Sequence, residues 1–257
     1  MVESRVTAFC GVPSSYYLLL SRTKPVDYDL SSLRYCTQAG GAMDPVKIND
    51  WQEQVDADFY VMYGQTEASA RLSYLPPDHL KTKSGSVGIA IPGVELSVQS
   101  ASGELHKNGE QGEVCARGDN VMLSYFNAAD DTAQVLKNGW LHTGDLGYFD
   151  EDGFLYLVGR NKEMIKSGAH RINPREIEEI IESLDGVDEV AVVGKDDELL
   201  GQVVRACVVT SLDEGMLKKI IMKKCRQNLA TYKIPKELLF LKELPKTASG
   251  KVKKHLI

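Results

Sequence analysis

The sequence predicts an α/β layer, then an antiparallel strand-rich segment, then a compact α+β domain. Two observations predict it: the spacing of apolar residues changes character twice along the chain, and the turn residues change with it. Residues 6–74 alternate short apolar runs with helix-like pieces, residues 84–159 carry strand-length runs between glycine turns, and beyond Arg160 amphipathic helices alternate with strands. A chain of 257 residues, 43% hydrophobic and 26% charged, can bury a sizeable core. At about 150 residues per domain it is expected to form two or more units.

In the first segment "VTAFCGV", "LRYCTQAGGA" and "DFYVMYG" read as strands, with "PSSYYLLLS" and "DPVKINDWQEQV" as helices between them. From "GSVGIAIPGVELSV" to "GFLYLVG", runs of Val, Leu and Tyr are punctuated by SG, NG, GD and DG, which predicts antiparallel sheet closing into a small barrel. "NPREIEEIIESLDGV" predicts a helix, with Pro174 in the first turn, Glu176, Glu178 and Glu179 near the positive end and Gly186 beyond the last turn. "VDEVAVVGK", "VVRACVVT" and "KELLFLKEL" then read as strands, and "EGMLKKIIMKKCRQNLA" as a second helix.

The formal charge of -6 offers no general field for nucleic acid, since phosphate neutralisation needs a basic face. Cys10, Cys36, Cys115, Cys207 and Cys225 are odd in number and show no CxxC spacing, so neither a disulfide framework nor a zinc site is signalled. No apolar run reaches the roughly 20 residues that span a bilayer, and "MVESRVTAFC" lacks a secretory core. A soluble, cytoplasmic protein is expected, with no transmembrane segment and no nucleic-acid partner.

Three stretches carry chemistry. In "YGQTEAS", an aromatic ring suits a flat base, Gly64 permits close backbone approach, Thr66 can donate to a phosphate oxygen and Glu67 can hold a hard cation such as magnesium. The plain alternative is a strand-to-helix turn capped by Thr66. In "GWLHTGDLGYFDEDGFLYLVGR", Asp145 stands between glycines and suits a pair of vicinal hydroxyls such as those of ribose, and Arg160 suits a sugar or a phosphate. "DEDG" lacks the later ligands of a calcium loop and reads as a hairpin turn, and Arg160 read plainly is a surface ion-pair partner. "LPKTASGKVKK" is either a solvated basic tail or a loop whose small residues Thr247, Ala248, Ser249 and Gly250 carry Lys251 to a phosphate.

The ordered set "FCGVPSSYYLLL", "QAGGAMDP", "YGQTEAS", "GEVCARGDNVMLSYF", "GWLHTGDLGYFDEDGFLYLVGRNKEMIKSGAHRINPREIE" and "LPKTASGK" resembles the adenylate-forming superfamily of acyl-CoA synthetases, luciferases and peptide-synthetase adenylation domains. The resemblance covers almost the whole chain. It implies activation of a small carboxylic acid by ATP and magnesium as an acyl-adenylate, then transfer to a thiol: coenzyme A or, alternatively, a carrier-protein phosphopantetheine. It implies a large AMP-binding domain over residues 1–159 (α/β layer 1–80, β-rich part 84–159), a hinge at 160–162 and a mobile α+β domain at 163–257.

Residue by residue, the resemblance implies that Tyr63 stacks on adenine beside Gly64, while Gly40, Gly41 and Ala42 line the base and acyl pocket. Thr66 would meet the α-phosphate, Glu67 magnesium, and Asp145 with Arg160 the ribose. Lys162 would be the hinge residue, Lys166 and Gly168 would belong to the cofactor site near the pantetheine arm, and Lys251 would enter the site for adenylation and then withdraw. Many thioester-forming relatives show KSGG where this chain has Ala169 after Gly168. The family's TSGTTGxPKG-type phosphate loop is not in this sequence. The chain is therefore expected to lack about the first half of the large domain, to expose an edge and apolar faces of the first sheet, and to be incomplete alone: a truncated ligase, one part of a split enzyme with a missing N-terminal segment as partner, or a non-catalytic nucleotide- or partner-binding remnant.

Overall fold

Three parallel strands begin the fold: β1 (Ala8–Gly11), β2 (Tyr35–Gln38) and β3 (Asp58–Tyr63), with Phe9 opposite Cys36 and Cys36 opposite Phe59. The computed structural model describes residues 1–100, 102–247 and 252–257. It divides into two units, Met1–Leu157 and Val158–Ile257.

In the first unit, the helices α1 (Pro13–Arg22) and α2 (Pro45–Gln52) form where the sequence places them. Each has proline in its first turn, where a missing N–H costs nothing. Asp44 caps α2 by accepting from the Val46 N–H at 2.8 Å. They pack with the parallel strands around Tyr16, Ile48, Trp51, Val55 and Phe59. Tyr16 meets Trp51 edge-on at 5.0 Å, and its hydroxyl donates to the Thr37 carbonyl at 2.7 Å, so the one polar atom of that ring is satisfied in the core. Each such buried side chain contributes about 1.5–3 kcal/mol. The sheet continues antiparallel through β4 (Ser73–Leu75) and β5 (Ile89–Ala90). β1 is one edge of it and β5 the other, and Leu18, Val26, Tyr28 and Val46 are exposed.

The strand-rich segment contains β6 (Val94–Gln99), β7 (Gly112–Gly118), β8 (Leu136–Lys137), β9 (Trp140–Phe149) and β10 (Leu155–Arg160), in the order β10-β9-β7-β6 with β8 beside β9. It is antiparallel as predicted, but a half-barrel rather than a closed barrel, because the pairing path leaves β6 and β10 as ends. A short helix, α3 (Ala129–Val135), interrupts the predicted run of strands, with Asp130 and Asp131 favouring its positive end. The "DEDG" turn is a hairpin turn: Asp150 accepts from the Asp152 and Phe154 N–H groups at 3.0 and 2.9 Å, and Lys83 pairs with Asp150 at 2.7 Å.

The second unit is a sheet of β11 (Ile165–Ser167), β12 (His170–Ile172), β13 (Glu189–Asp197), β14 (Gly201–Val209) and β15 (Glu237–Leu241), ordered β12-β11-β14-β13 with β15 parallel to β14. Helices α4 (Pro174–Glu182) and α5 (Glu214–Asn228) are those the sequence predicts. Their apolar stripes, Ile177 and Ile181 with Leu217, Ile221 and Cys225, bury against Val192, Val204 and Val208. The β11–β12 hairpin is not among the predicted strands: its "KSGAH" turn places Gly168 at φ 58°, a conformation that suits glycine, while Ala169 is not in the left-handed region. Among the described residues no helix is long and apolar enough to cross a membrane.

Candidate functional site

β1, β2 and β3 run parallel, so their C-terminal ends lie at one end of the sheet, where ligands of open α/β sheets bind. Two segments singled out in the sequence begin there. After β2 comes the exposed turn Gly40–Gly41–Ala42, with Gly40 at φ 84° and the Gln38 amide donating to the Gly41 carbonyl at 2.6 Å. After β3 comes Tyr63 to Ser69.

That second turn is tightly made. A Cβ on Gly64 would lie 2.6 Å from the Ala70 carbonyl oxygen, so glycine is required there by backbone, not by choice of turn alone. Ser69 and Ala70 both have positive φ, 50° and 67°, a local strain that surrounding bonds must hold. Those bonds come from the loop after β7: Asn120 donates to the Ala68 and Arg71 carbonyls at 3.0 and 2.8 Å, and Ser69 donates to the Asn120 carbonyl at 2.8 Å. The turn is a 3-10 helix at Thr66–Ala68 whose N-cap is Gln65, without a side-chain cap bond. Thr66 therefore does not cap it, and its side chain is exposed.

Tyr63 and Asp145 meet across the first unit. The Tyr63 hydroxyl donates to Asp145 Oδ2 at 2.7 Å, with the two residues 8% and 6% exposed. Tyr63 packs among Leu72, Val114, Leu141 and Leu155, where the first sheet adjoins the half-barrel. Glu67 is half-buried, and its Oε1 accepts from the Tyr125 hydroxyl at 2.6 Å while its carbonyl accepts from the Met122 N–H at 2.7 Å. The Glu67 carboxylate, and burial after it, push the Tyr125 phenol up to about 12. Leu123 and Phe126, on either side of that contact in sequence, are 95% and 93% exposed.

The arrangement fits a nucleotide with a hard cation. It sets one buried carboxylate and one half-buried, hydrogen-bonded carboxylate near a glycine-bounded turn at the ligand-binding end of a parallel sheet. Sequence reasoning does not find Tyr125 or Asn120 in these roles, because both lie in an irregular loop whose position depends on the half-barrel.

The remaining predicted residues lie in the second unit. Arg160 ends β10, exposed, and Lys162 stands in the 3-10 turn Asn161–Glu163 that follows. Lys166 and Gly168 lie on the β11–β12 hairpin, tied to β14 and the loop before it by Lys166 N–H to Gln202 Oε1 at 2.9 Å and Gly168 N–H to the Leu200 carbonyl at 2.7 Å. Ala248, Ser249, Gly250 and Lys251 lie outside the described residues. Around them the basic stretch is built in. Lys246 bridges Val252, Leu244 is buried with Ala191 and Cys207, Lys246 pairs with Glu189 at 2.6 Å, and Lys254 pairs with Glu178 at 2.7 Å. Glu178 is not merely a surface acid near a helix start: it is 5% exposed and also accepts from the Val192 N–H at 2.8 Å.

The AMP-binding enzyme model matches residues 1–126, and the AMP-binding enzyme C-terminal domain model matches residues 176–251. An indoleacetate–CoA ligase of Aromatoleum aromaticum is 39% identical over 98% of this chain and 49% of its own length. A long-chain-fatty-acid–CoA ligase of Bacillus subtilis is 38% identical over 97% of this chain and 45% of its own. The chain thus spans about half the length of the curated relatives it matches. Among solved structures, an amide bond synthetase from Marinactinospora thermotolerans superposes with TM-score 0.89 at 32% identity, covering 99% of this chain and 53% of that one. The o-succinylbenzoate CoA synthetase of Bacillus subtilis, in complex with its acyl-adenylate intermediate, gives 0.86 at 32% identity, covering 98% and 51%. The same enzyme with ATP and a magnesium ion gives 0.85. The fold is a partial acyl-CoA synthetase-like one, and the chain belongs to the adenylate-forming AMP-binding enzyme family.

Proposed function

We propose that this chain supplies the ribose-, base- and magnesium-binding parts, and the C-terminal domain, of a ligase. The ligase activates a small carboxylic acid with ATP as an acyl-adenylate and passes the acyl group to coenzyme A. The observation that carries the reading is the buried Tyr63–Asp145 pair at the C-terminal end of the parallel strands.

In this reading Asp145 accepts from the ribose hydroxyls with Arg160 assisting, Tyr63 and the Gly40–Ala42 turn bound the adenine, and Thr66 donates to the α-phosphate. Glu67 would hold magnesium, which when bound neutralises phosphate charge. Lys251 stabilises the charge that develops as carboxylate and α-phosphate join, an effect worth several kcal/mol in a water-excluded site. Residues 160–162 form the hinge about which residues 163–257 turn between half-reactions, with Lys162 in it and Lys166 and Gly168 toward the thiol arm.

Calorimetric titration of the chain with AMP tests the reading. Binding that Asp145→Ala weakens by tenfold or more is expected, since hydrogen bonds to a charged acceptor contribute about 1.5–3 kcal/mol each. Unchanged affinity refutes the ribose assignment. Carboxylate-dependent exchange of labelled pyrophosphate into ATP separates a ligase from a non-catalytic remnant. Single-turnover transfer from a supplied acyl-adenylate separates coenzyme A from a carrier-protein phosphopantetheine. A second reading, favoured by the likeness to an amide bond synthetase, ends in an amine acceptor and is separated by adding amines to that assay.

A further inference from the structure

The backbone that carries Asp145 departs from regular sheet. In the pairing of β7 with β9, Glu113 lies opposite Leu146, yet Cys115 lies opposite His142. Thr143, Gly144 and Asp145 therefore face the single residue Val114. This is a β-bulge, a device that re-aims a side chain and leaves backbone groups without their ladder partners. Gly144 takes φ 74° within it.

Side chains satisfy what the ladder does not. Glu113 Oε1 accepts from the Gly144 N–H at 3.0 Å. The Thr143 hydroxyl donates to the Val114 carbonyl at 2.7 Å and accepts from the Asp145 N–H at 3.1 Å. Glu113 Oε2 lies 2.9 Å from His142 Nδ1, and because a carboxylate only accepts, that nitrogen carries the proton. The Cys115 thiol lies 3.5 Å from the same nitrogen. Burial, and the Glu113 charge after it, push that thiol up to about 12, so it stays neutral beside the carboxylate. Glu113, Cys115 and His142, whose polar atoms lie within 4.8 Å of one another, thus form a hydrogen-bonded brace behind the bulge.

We infer that Glu113, held by His142, is a positioning residue for Asp145: it fixes the β9 bulge in the shape that presents the Asp145 carboxylate to the ribose hydroxyls of the nucleotide. The inference rests on the ribose reading of Asp145. It makes the sheet partner of the bulge, not only the residue that meets the sugar, responsible for ribose recognition.

The test compares AMP with 2′,3′-dideoxy-AMP as calorimetric probes of the wild-type chain, Glu113→Ala and Glu113→Gln. The wild type should prefer AMP. Glu113→Ala should lose about tenfold in AMP affinity, roughly one good hydrogen bond, and little for the dideoxy probe. Glu113→Gln, whose amide oxygen still accepts from Gly144, should recover most of that loss. By NMR the Gly144 amide proton should move upfield in Glu113→Ala and return in Glu113→Gln. Should Glu113→Ala not fold, Thr143→Ala, which removes the other tie of the bulge, should give the same ribose-selective loss. Equal losses for both probes, or unchanged AMP affinity in a folded variant, overturn the positioning role while leaving the ribose reading intact. A wild type that binds AMP and the dideoxy probe equally, or binds neither, overturns both.

Discussion

The Tyr125 hydroxyl donates to the Glu67 carboxylate at 2.6 Å, bringing a tyrosine of the loop after β7 onto the one acid of the Thr66–Ala68 turn. The phenol ionises near 12 in the folded chain against 10.0 ordinarily. Its contribution to stability is therefore whole below pH 10 and is lost as the pH rises from 10 toward 12. Tyr125→Phe should cost about 1 kcal/mol near neutrality, the value of a partly exposed hydrogen bond. In urea unfolding series at increasing pH, the gap between wild type and variant should shrink through that window. A gap constant with pH would show that the pair contributes nothing through this bond.

Gly64→Ala should destabilise the first unit by about 1–3 kcal/mol, because the added methyl meets backbone that has no rotamer to yield. Denaturant midpoints read this directly, and the same change at Gly41, whose backbone is also outside the left-handed region and whose added carbon would meet nothing nearer than 3.6 Å, serves as the control without a clash.

Glu178→Ala leaves the Val192 N–H buried without its acceptor and Lys254 with only the longer pair to Glu163 at 3.4 Å, and should cost about 3 kcal/mol. Lys254→Met should cost less, about 1–2 kcal/mol, since Arg175 remains 4.0 Å from the carboxylate. Thermal unfolding of both variants should give that order, and the reverse order would mean that the tail lysine, not the buried acid, organises the contact.

Of the five cysteines only Cys10 is exposed. A thiol reagent should label the native chain at that position alone and reach all five after unfolding, counted by mass spectrometry. Rapid native labelling of Cys36, Cys115, Cys207 or Cys225 would contradict the packing around them.

Lys251→Ala in the complete ligase should abolish acyl-adenylate formation while sparing thioester formation from added acyl-adenylate. Equal loss of both half-reactions would count against the proposed role.

Much of the fold was legible because local signals agreed with global packing. β3 alternates Phe59, Val61 and Tyr63 inward as its pattern says, and α4 carries Asn173, Pro174 and the Ile177–Ile181 stripe that mark a helix. Tyr63, Glu67 and Asp145 are legible in the sequence as chemistry-bearing residue types close to glycines and through the family resemblance. The rest was set by pairing across the sheet. Glu113 and His142 become neighbours only through a bulge that no periodicity announces, and Glu178 looks solvated until β13 covers it. The β11–β12 hairpin was missed because its strands are too short to show alternation.

The Tyr63–Asp145 bond joins positions 82 residues apart, and its two ends belong to different sheets. Closing so long a loop carries an entropy that local turns and helices avoid, so the contact belongs to the end of folding rather than its beginning. If the proposed ribose role of Asp145 holds, competence to hold a nucleotide should thus return after helix content during refolding, and AMP, which would then bind only the finished pair, should act as a probe of the last step and draw the folding equilibrium toward completion.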